Sequence, residues 1–348
     1  MTSVNPLGAV NKNSAETINF TINLMQKALH ELEFLDVVNS FPALHGGIVL
    51  EKAIRRYETC WLPLAASVAD PTAIAPPLDV HWVWHCHMLS PYEYELDCQR
   101  LVFKVIDHTV RSTTVLRQLR KDCEAIWKAK YPEEPFEYDW NHPAPTQSPR
   151  YKPKCAYDLI AAVNRQTSFY YQVSLPHYRS EAFLQNGLDR YKMFLFLKKC
   201  KPNAFLVPCY DIDVIWHTHQ LHPLIYKEET LRELGRMLNH DDTVTDRSPN
   251  SKLTLSDKMT RSLWKEFYGV HFASCGAMFR GVSPYRRLAN INTQSSVQFA
   301  KFDGKIILQA NAYNACILPE HVEQLWGPIA LATLPAGENN DCIAATHR

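Results

Sequence analysis

Two short segments rich in tryptophan and histidine carry the side chains in this sequence that are best suited to chemistry. They span Asp79–Tyr94 and Asp211–Tyr226, and each contains the motif Trp-His-x-His, at residues 84–87 and 216–219. Imidazole nitrogens are good ligands for zinc, copper, iron and nickel. The two segments are therefore the first place to look for a metal site.

Helical spacing divides these histidines into two classes. Residues four positions apart share one face of a helix. This spacing occurs in both segments, for His81 and His85 and for Asp213 and His217. The final histidine of each motif points away from that face. If the two helices pack around an approximate two-fold axis, the four side chains converge, and three imidazoles with one carboxylate favour zinc or iron.

The same side chains also suit a purely structural role. Buried histidine and aspartate can satisfy backbone groups at helix ends, while tryptophan fills a core and donates its indole N–H. Arg56 and Arg190 recur before the two segments and are expected to pair with Asp79 and Asp211. Because polar groups in cores are usually satisfied rather than catalytic, we favour the structural interpretation and keep metal binding as the alternative.

The two segments align with each other when the sequence is shifted so that Trp84 lies on Trp216. The aspartate, histidine, leucine, proline and tyrosine positions of the motif coincide at this shift. Upstream, an Arg-Tyr pair at 56–57 recurs at 190–191 with a slightly different shift, as expected for loop insertions. The pattern predicts an internal duplication whose repeats are far longer than a solenoid unit.

The predicted fold is mainly α, with two homologous helical halves packed together and a small β-rich C-terminal segment. A run of apolar residues at helical spacing begins after Ser14 and Thr17. Beyond residue 280 the sequence alternates in hydrophobicity, with a hairpin signal at Asp303 and Gly304. The predicted organisation is a disordered N-terminus over 1–13, helical repeat 1 over 14–145, helical repeat 2 over 146–280 and the β-rich segment over 281–348.

Composition and charge argue against several classes of partner. The chain has 348 residues and a net charge of +1, which gives no electrostatic reason to expect a nucleic acid or an anionic membrane. It contains no apolar run of about 18 residues that would span a bilayer, and its polar start does not resemble a signal peptide. We therefore expect a cytoplasmic protein whose 10 cysteines are thiols.

At these motifs the sequence resembles the glycine-rich domain-containing protein-like family, best known from plants. The resemblance covers roughly residues 14–282 and rests on five stretches, Pro77–His87, Arg190–Tyr191, Val207–Pro223, Asn239–Thr243 and Gly276–Gly281. The second Trp-His motif is highly specific to that family. The glycine-rich C-terminal region that gives the family its name has no counterpart in this sequence.

The resemblance implies no established enzymatic activity, and it links plant members to development, hormone and stress responses. We therefore expect a non-catalytic intracellular binding or scaffold module with an unidentified protein partner. The alternative is a metal-binding protein or metalloenzyme that holds zinc or iron between the two Trp-His helices. A weaker alternative is an RNA-associated protein, which a basic, aromatic surface would support.

Overall fold

The computed structural model describes residues 6–138 and 151–282, and every regular element within these ranges is helical. The mainly α fold is therefore confirmed for this part of the chain. The described residues form two compact units. Unit 1 comprises residues 6–18, 168–214 and 246–282, and unit 2 comprises residues 19–138, 151–167 and 215–245. Each unit contains residues from both predicted repeats.

The α-helices of the described ranges are joined by connections of very different lengths. In chain order they are α1 (Pro6–Glu16), α2 (Leu24–Asn39), α3 (Gly47–Arg56), α4 (Leu62–Ser67), α5 (Leu78–Met88), α6 (Pro91–Val102), α7 (Thr113–Lys130), α8 (Leu159–Val173), α9 (Glu181–Cys200), α10 (Tyr210–Gln220), α11 (Pro223–Leu234) and α12 (Lys252–Tyr268). The Trp-His motifs lie on α5 and α10. Helices α8 and α10 each contribute residues to both units.

Close backbone packing holds helix α1 in place within unit 1. A Cβ atom at Gly8 would lie 2.8 Å from the carbonyl oxygen of Tyr268, so glycine is required at this approach. One turn later, the side-chain amide of Asn11 donates to the carbonyl of Phe267 over 2.7 Å. Because of these contacts the chain is helical from Pro6, where the sequence predicted disorder through residue 13.

The amphipathic run predicted to begin at Ser14 is divided between two helices. Helix α1 ends at Glu16, and α2 begins at Leu24. The side chain of Asn23 accepts a hydrogen bond from the backbone N–H of Gln26 and caps α2. Such a cap satisfies one of the amides that have no partner in the first turn. The run of apolar residues at helical spacing after Ser14 therefore does not form one continuous helix.

A π-helical turn interrupts the long helix that precedes the first Trp-His segment. Helix α3 continues through this turn, Tyr57–Trp61, directly into α4. A π turn changes the direction in which its side chains point, and such turns are frequent at functional sites. Here the turn places Tyr57 and Glu58 in the interior of unit 2, where both are buried.

Proline begins the helix that follows each Trp-His helix. Pro91 and Pro223 occupy the first turns of α6 and α11, where the missing N–H has no helical partner to lose. Each helix ends on a left-handed residue, which is Phe103 with φ 62° for α6 and Gly235 with φ 71° for α11. This conformation is ordinary for glycine and unfavourable for phenylalanine.

Two sequence predictions concern the ends of the chain and the membrane. The predicted β-rich segment, apart from residues 281 and 282, lies outside the described residues. Within the described ranges, no helix is both long and apolar enough to cross a bilayer.

Candidate functional site

The first Trp-His helix is buried on every side. All residues of α5, from Leu78 to Met88, are buried within unit 2. A helix with no solvent-facing side is a core element. Its aspartate and histidines must therefore find partners inside the protein, because an unpartnered buried polar group is costly.

A buried arginine anchors the first turn of each Trp-His helix. In unit 2, Arg56 Nη1 lies 2.5 Å from Asp79 Oδ2, and in unit 1, Arg190 Nε lies 2.7 Å from Asp211 Oδ2. Burial raises the pKa of both aspartates, and the arginine opposes that rise. Each guanidinium also lies over a tryptophan ring, Trp127 in unit 2 and Trp264 in unit 1. The Arg–Asp pairing predicted from the sequence is confirmed.

The motif tryptophans start two short hydrogen-bond chains in unit 2. Trp84 Nε1 donates to the Tyr94 hydroxyl over 2.8 Å, and Tyr94 donates to the carbonyl of Ile106 over 2.7 Å. The same chain, with the same two distances, runs from Trp216 through Tyr226 to the carbonyl of Leu238. The indoles are therefore fixed in orientation as well as buried.

Two histidines that the sequence analysis did not select lie against these tryptophans. The His108 ring meets the Trp84 ring edge-on at 4.8 Å, and the His240 ring meets Trp216 in the same way at 4.7 Å. Both belong to unit 2. The shift that places Trp84 on Trp216 also places His108 on His240, so this coincidence was a usable signal in the sequence.

Each of these two histidines forms a hydrogen bond with a carbonyl at the end of the other motif's helix. His108 Nδ1 lies 2.6 Å from the carbonyl oxygen of Leu221, just after α10, and His240 Nδ1 lies 2.9 Å from that of Leu89, just after α5. Carbonyls at helix C-termini have no partner within the helix. Each histidine therefore satisfies a helix end that belongs to the other motif.

The four residues predicted as metal ligands have different surroundings. His81 Nε2 lies 3.2 Å from His108 Nε2, the His85 ring stacks on Phe34, and the His217 ring packs edge-on against His240. Asp213 belongs to unit 1 and precedes His217 by one turn of α10. Among the described residues, neither His81 nor His85 belongs to a group of three ligand atoms within 4.8 Å of one another. The four-residue metal site stays a prediction.

Burial keeps this histidine core uncharged at neutral pH. Desolvation lowers the pKa of His85 to about 3 and that of His108 to about 4, and it lowers the pKa of His81 and His217 well below the usual value. A cavity of about 10 Å³ lies beside His81, Trp84 and His108. That volume holds about one water molecule, so no organic substrate fits beside these rings.

The second class of motif histidines, predicted to point elsewhere, pairs with acids. His219 Nε2 lies 3.0 Å from Glu229 Oε2, whereas His87 Nε2 lies 3.5 Å from Asp97 Oδ2. Asp97 and Glu229 coincide at the shift that aligns the two motifs. The helical-spacing argument missed both pairs because the acids lie on the next helix, α6 or α11, rather than on the motif helix.

The acidic segment Asn239–Thr243 forms a turn with local bonds. Asp241 Oδ1 accepts hydrogen bonds from the backbone N–H and the hydroxyl of Thr243. Asp242 Oδ1 lies 2.9 Å from Arg165 Nε within unit 2. Both carboxylates are therefore engaged in structural contacts, as turn-forming aspartates commonly are.

Comparison with known proteins places this chain beside plant relatives. Residues 93–229 match the family described as "Glycine-rich domain-containing protein-like". The chain is 39% identical to Glycine-rich domain-containing protein 1 of Arabidopsis thaliana over 283 residues, which is 78% of this chain and 35% of that protein. It is also 39% identical to Glycine-rich domain-containing protein 2 of the same plant over 286 residues, which is 78% of this chain and 36% of the relative.

The chain thus spans about a third of the length of the curated relatives that it matches. No solved structure matches it. The matched stretch includes α10 with the second Trp-His motif, and also the parts of α6 and α11 that carry Asp97 and Glu229. The chain belongs to the glycine-rich domain-containing protein-like family.

Proposed function

We propose that this chain is a non-catalytic intracellular module that binds a protein partner. One observation carries the proposal: the first Trp-His helix is buried along its whole length, and the cavity beside its histidines has about 10 Å³. A substrate site needs a cleft of several hundred Å³. We therefore assign the Trp-His motif to the structural core and place the binding site for the partner on the surface. The described cysteines are thiols rather than disulfides, which suits a reducing compartment.

The surface at the end of α6 supports a binding role. Phe103 is 86% exposed and Leu96, on the same helix, is 64% exposed. Phe103 also holds φ 62°, a conformation in which a bulky residue is strained. The equivalent position of the other motif is Gly235, which adopts the same conformation without strain. An aromatic side chain held outward at a cost in stability suits a contact residue.

We also infer that the two motifs descend from one duplicated unit. The support is the recurrence of contacts at one shift of the sequence: the Trp84–Tyr94 and Trp216–Tyr226 bonds are both 2.8 Å long. The reciprocal bonds of His108 and His240 fit the same origin. A shared ancestor explains why a rare set of aromatic and histidine contacts occurs twice in one chain.

Photo-crosslinking tests the binding role directly. The full chain, carrying a photoreactive phenylalanine analogue at position 103, is irradiated in cell extract and the adducts are identified. The control carries the analogue at Val115, which is also exposed in unit 2. We expect position 103 to give a discrete protein adduct that Val115 does not give. Equal labelling from both positions, or none, would count against the proposal.

A second candidate function is metal binding in the histidine core. The observation that favours it is a buried His85 Nε2 that has no hydrogen-bond partner among the described residues. On this proposal His81, His85, Asp213 and His217 hold zinc or iron. Elemental analysis of protein purified without a histidine tag, compared with His85→Gln, tests it. Metal content that is negligible, or unchanged in the variant, would rule it out.

A further inference from the structure

The end of α5 carries a compact group of metal-ligand side chains that is separate from the predicted four-residue site. His87, Asp97 and Cys155 each offer one ligand atom, and these three atoms lie within 4.8 Å of one another. All three residues are buried and all belong to unit 2. Imidazole, carboxylate and thiolate are the three side-chain ligands that zinc takes in proteins.

The distance between His87 Nε2 and Asp97 Oδ2 fits two ligands of one metal ion better than a direct hydrogen bond. His87 Nε2 lies 3.5 Å from Asp97 Oδ2, which is longer than an ordinary N–H···O bond. Zinc holds its ligands at about 2.0–2.3 Å, so tetrahedral ligand atoms lie roughly 3.3–3.7 Å apart. The equivalent pair of the second motif, His219 and Glu229, is 3.0 Å apart and makes a direct bond.

The imidazole is oriented from its far side. The hydroxyl of Tyr57, which the π turn directs inward, lies 2.9 Å from His87 Nδ1. When Nδ1–H donates to this oxygen, the lone pair of Nε2 faces the carboxylate and the thiol. The ring of Tyr157 stacks parallel to the imidazole with centroids 5.7 Å apart. Metal-bound histidines are commonly oriented in this way by a hydrogen bond at the other nitrogen.

The segment that carries the thiol is tied down on both sides by acids. The backbone amides of Lys154 and Cys155 donate to Glu58 over 2.7 and 2.9 Å. The amides of Ala156 and Tyr157 donate to Asp97 over 2.9 and 3.2 Å. These bonds fix the backbone of Cys155 against the carboxylate. The thiol position is therefore preorganised rather than a chance approach of a loop.

Charge in this region also suits a cation. Asp97 and Glu58 are both buried carboxylates, and Arg100 is the cation bonded to Asp97, at Oδ1. The oxygen nearer to His87 is Oδ2. The positive charge of a divalent ion beside this oxygen would offset the negative charges of the Glu58 carboxylate and the Cys155 thiolate.

We propose that His87, Asp97 and Cys155 bind a zinc ion through Nε2, Oδ2 and Sγ. The set leaves one tetrahedral position for a non-protein ligand. Zinc takes the thiolate form of cysteine, so the thiol proton of Cys155 is released to solvent on binding. The site goes beyond the proposed binding function and uses none of the four residues of the predicted core site.

Cobalt substitution provides the test, because cobalt bound by a thiolate shows a sulfur-to-metal charge-transfer band. The full chain is purified without a tag and stripped with chelator, and separate samples are titrated with Zn²⁺ and with Co²⁺, because cobalt binds such sites more weakly than zinc and would not displace it. We expect one metal ion per chain, a charge-transfer band, and a melting temperature that chelator lowers. The Cys155→Ser variant is expected to lose the band and the effect of chelator.

Two control variants distinguish this site from metal binding elsewhere in unit 2. Cys123→Ser removes another buried thiol of unit 2, and His219→Gln changes the equivalent histidine of the other motif, so both should bind as the wild type does. Circular dichroism checks that every variant is folded. No binding by the wild type, or an unchanged band in folded Cys155→Ser, overturns the proposal. Loss of metal in His85→Gln but not in Cys155→Ser overturns it in favour of the core site. Crosslinking from position 103 is independent of all these outcomes.

Discussion

The left-handed residue that ends α6 allows the cost of an exposed aromatic side chain to be measured. Phe103 has φ 62° and is 86% exposed, so its ring makes little contact with the protein. Phe103→Ala and Phe103→Gly remove the same ring, but only glycine also removes the backbone strain. The difference between the two variants therefore isolates that strain.

The expected magnitude follows from two opposing terms. A left-handed conformation costs a residue with a Cβ atom about 1–2 kcal/mol relative to glycine. Glycine gives back about 0.4–1 kcal/mol because it increases the entropy of the unfolded chain. We therefore expect Phe103→Gly to have an unfolding free energy about 1 kcal/mol higher than Phe103→Ala.

Urea unfolding followed by circular dichroism measures this difference, and Gly235→Ala supplies the matched control. Gly235 has φ 71° at the equivalent end of α11, so its replacement by alanine should lower the unfolding free energy by about the same 1 kcal/mol. If Phe103→Ala were as stable as Phe103→Gly, the strain assigned to this residue would be absent.

Two further predictions concern the buried charges and histidines. Asp79→Ala removes the 2.5 Å partner of the buried Arg56, while Glu134 stays 3.3 Å from its Nε. The substitution should therefore lower the unfolding free energy in urea by about 3 kcal/mol, the lower end of the range for breaking a buried ion pair. Asp122→Ala on the surface should change it by under about 0.5 kcal/mol, and an equally small loss for Asp79→Ala would contradict the buried pairing. Acidification should also destabilise the protein, because the folded pKa of His85 is about 3 and that of His108 about 4, below an unfolded value of about 6.5. Each of these two histidines then lowers the unfolding free energy by about 1.4 kcal/mol per pH unit as the pH falls from about 6.5 towards its folded pKa. An unfolding free energy that stays constant between pH 7 and 5 would contradict this reasoning.

The sequence predicted the elements that depend on residue type and local spacing. The Trp-His helices follow from helical spacing, and α5 and α10 occur where expected. The Arg56–Asp79 and Arg190–Asp211 pairs were also predictable, because opposite charges recur at matching places in two apolar contexts.

The missed features depend on contacts that are distant in sequence. Helical spacing describes one helix at a time, so it could not bring His87 to Asp97 or Cys155. The π turn that directs Tyr57 inward has no marker in the sequence, and the start of α2 depended on the cap at Asn23. His108 and His240 lie in loops, where helical periodicity gives no signal. The shift that aligns the two motifs does place one on the other, and this alignment was the available signal.

The hydrogen bonds that His108 and His240 each make to the other motif limit where the chain can be divided into fragments. Cutting the chain between the motifs, at about residue 145, would separate His108 from Leu221 and His240 from Leu89. Each fragment would then carry a helix whose last carbonyl has lost its partner, with apolar surface exposed beside it. Fragments expressed alone should aggregate, and co-expression of the two should recover soluble material. A useful boundary for shortening this protein therefore lies outside both motifs.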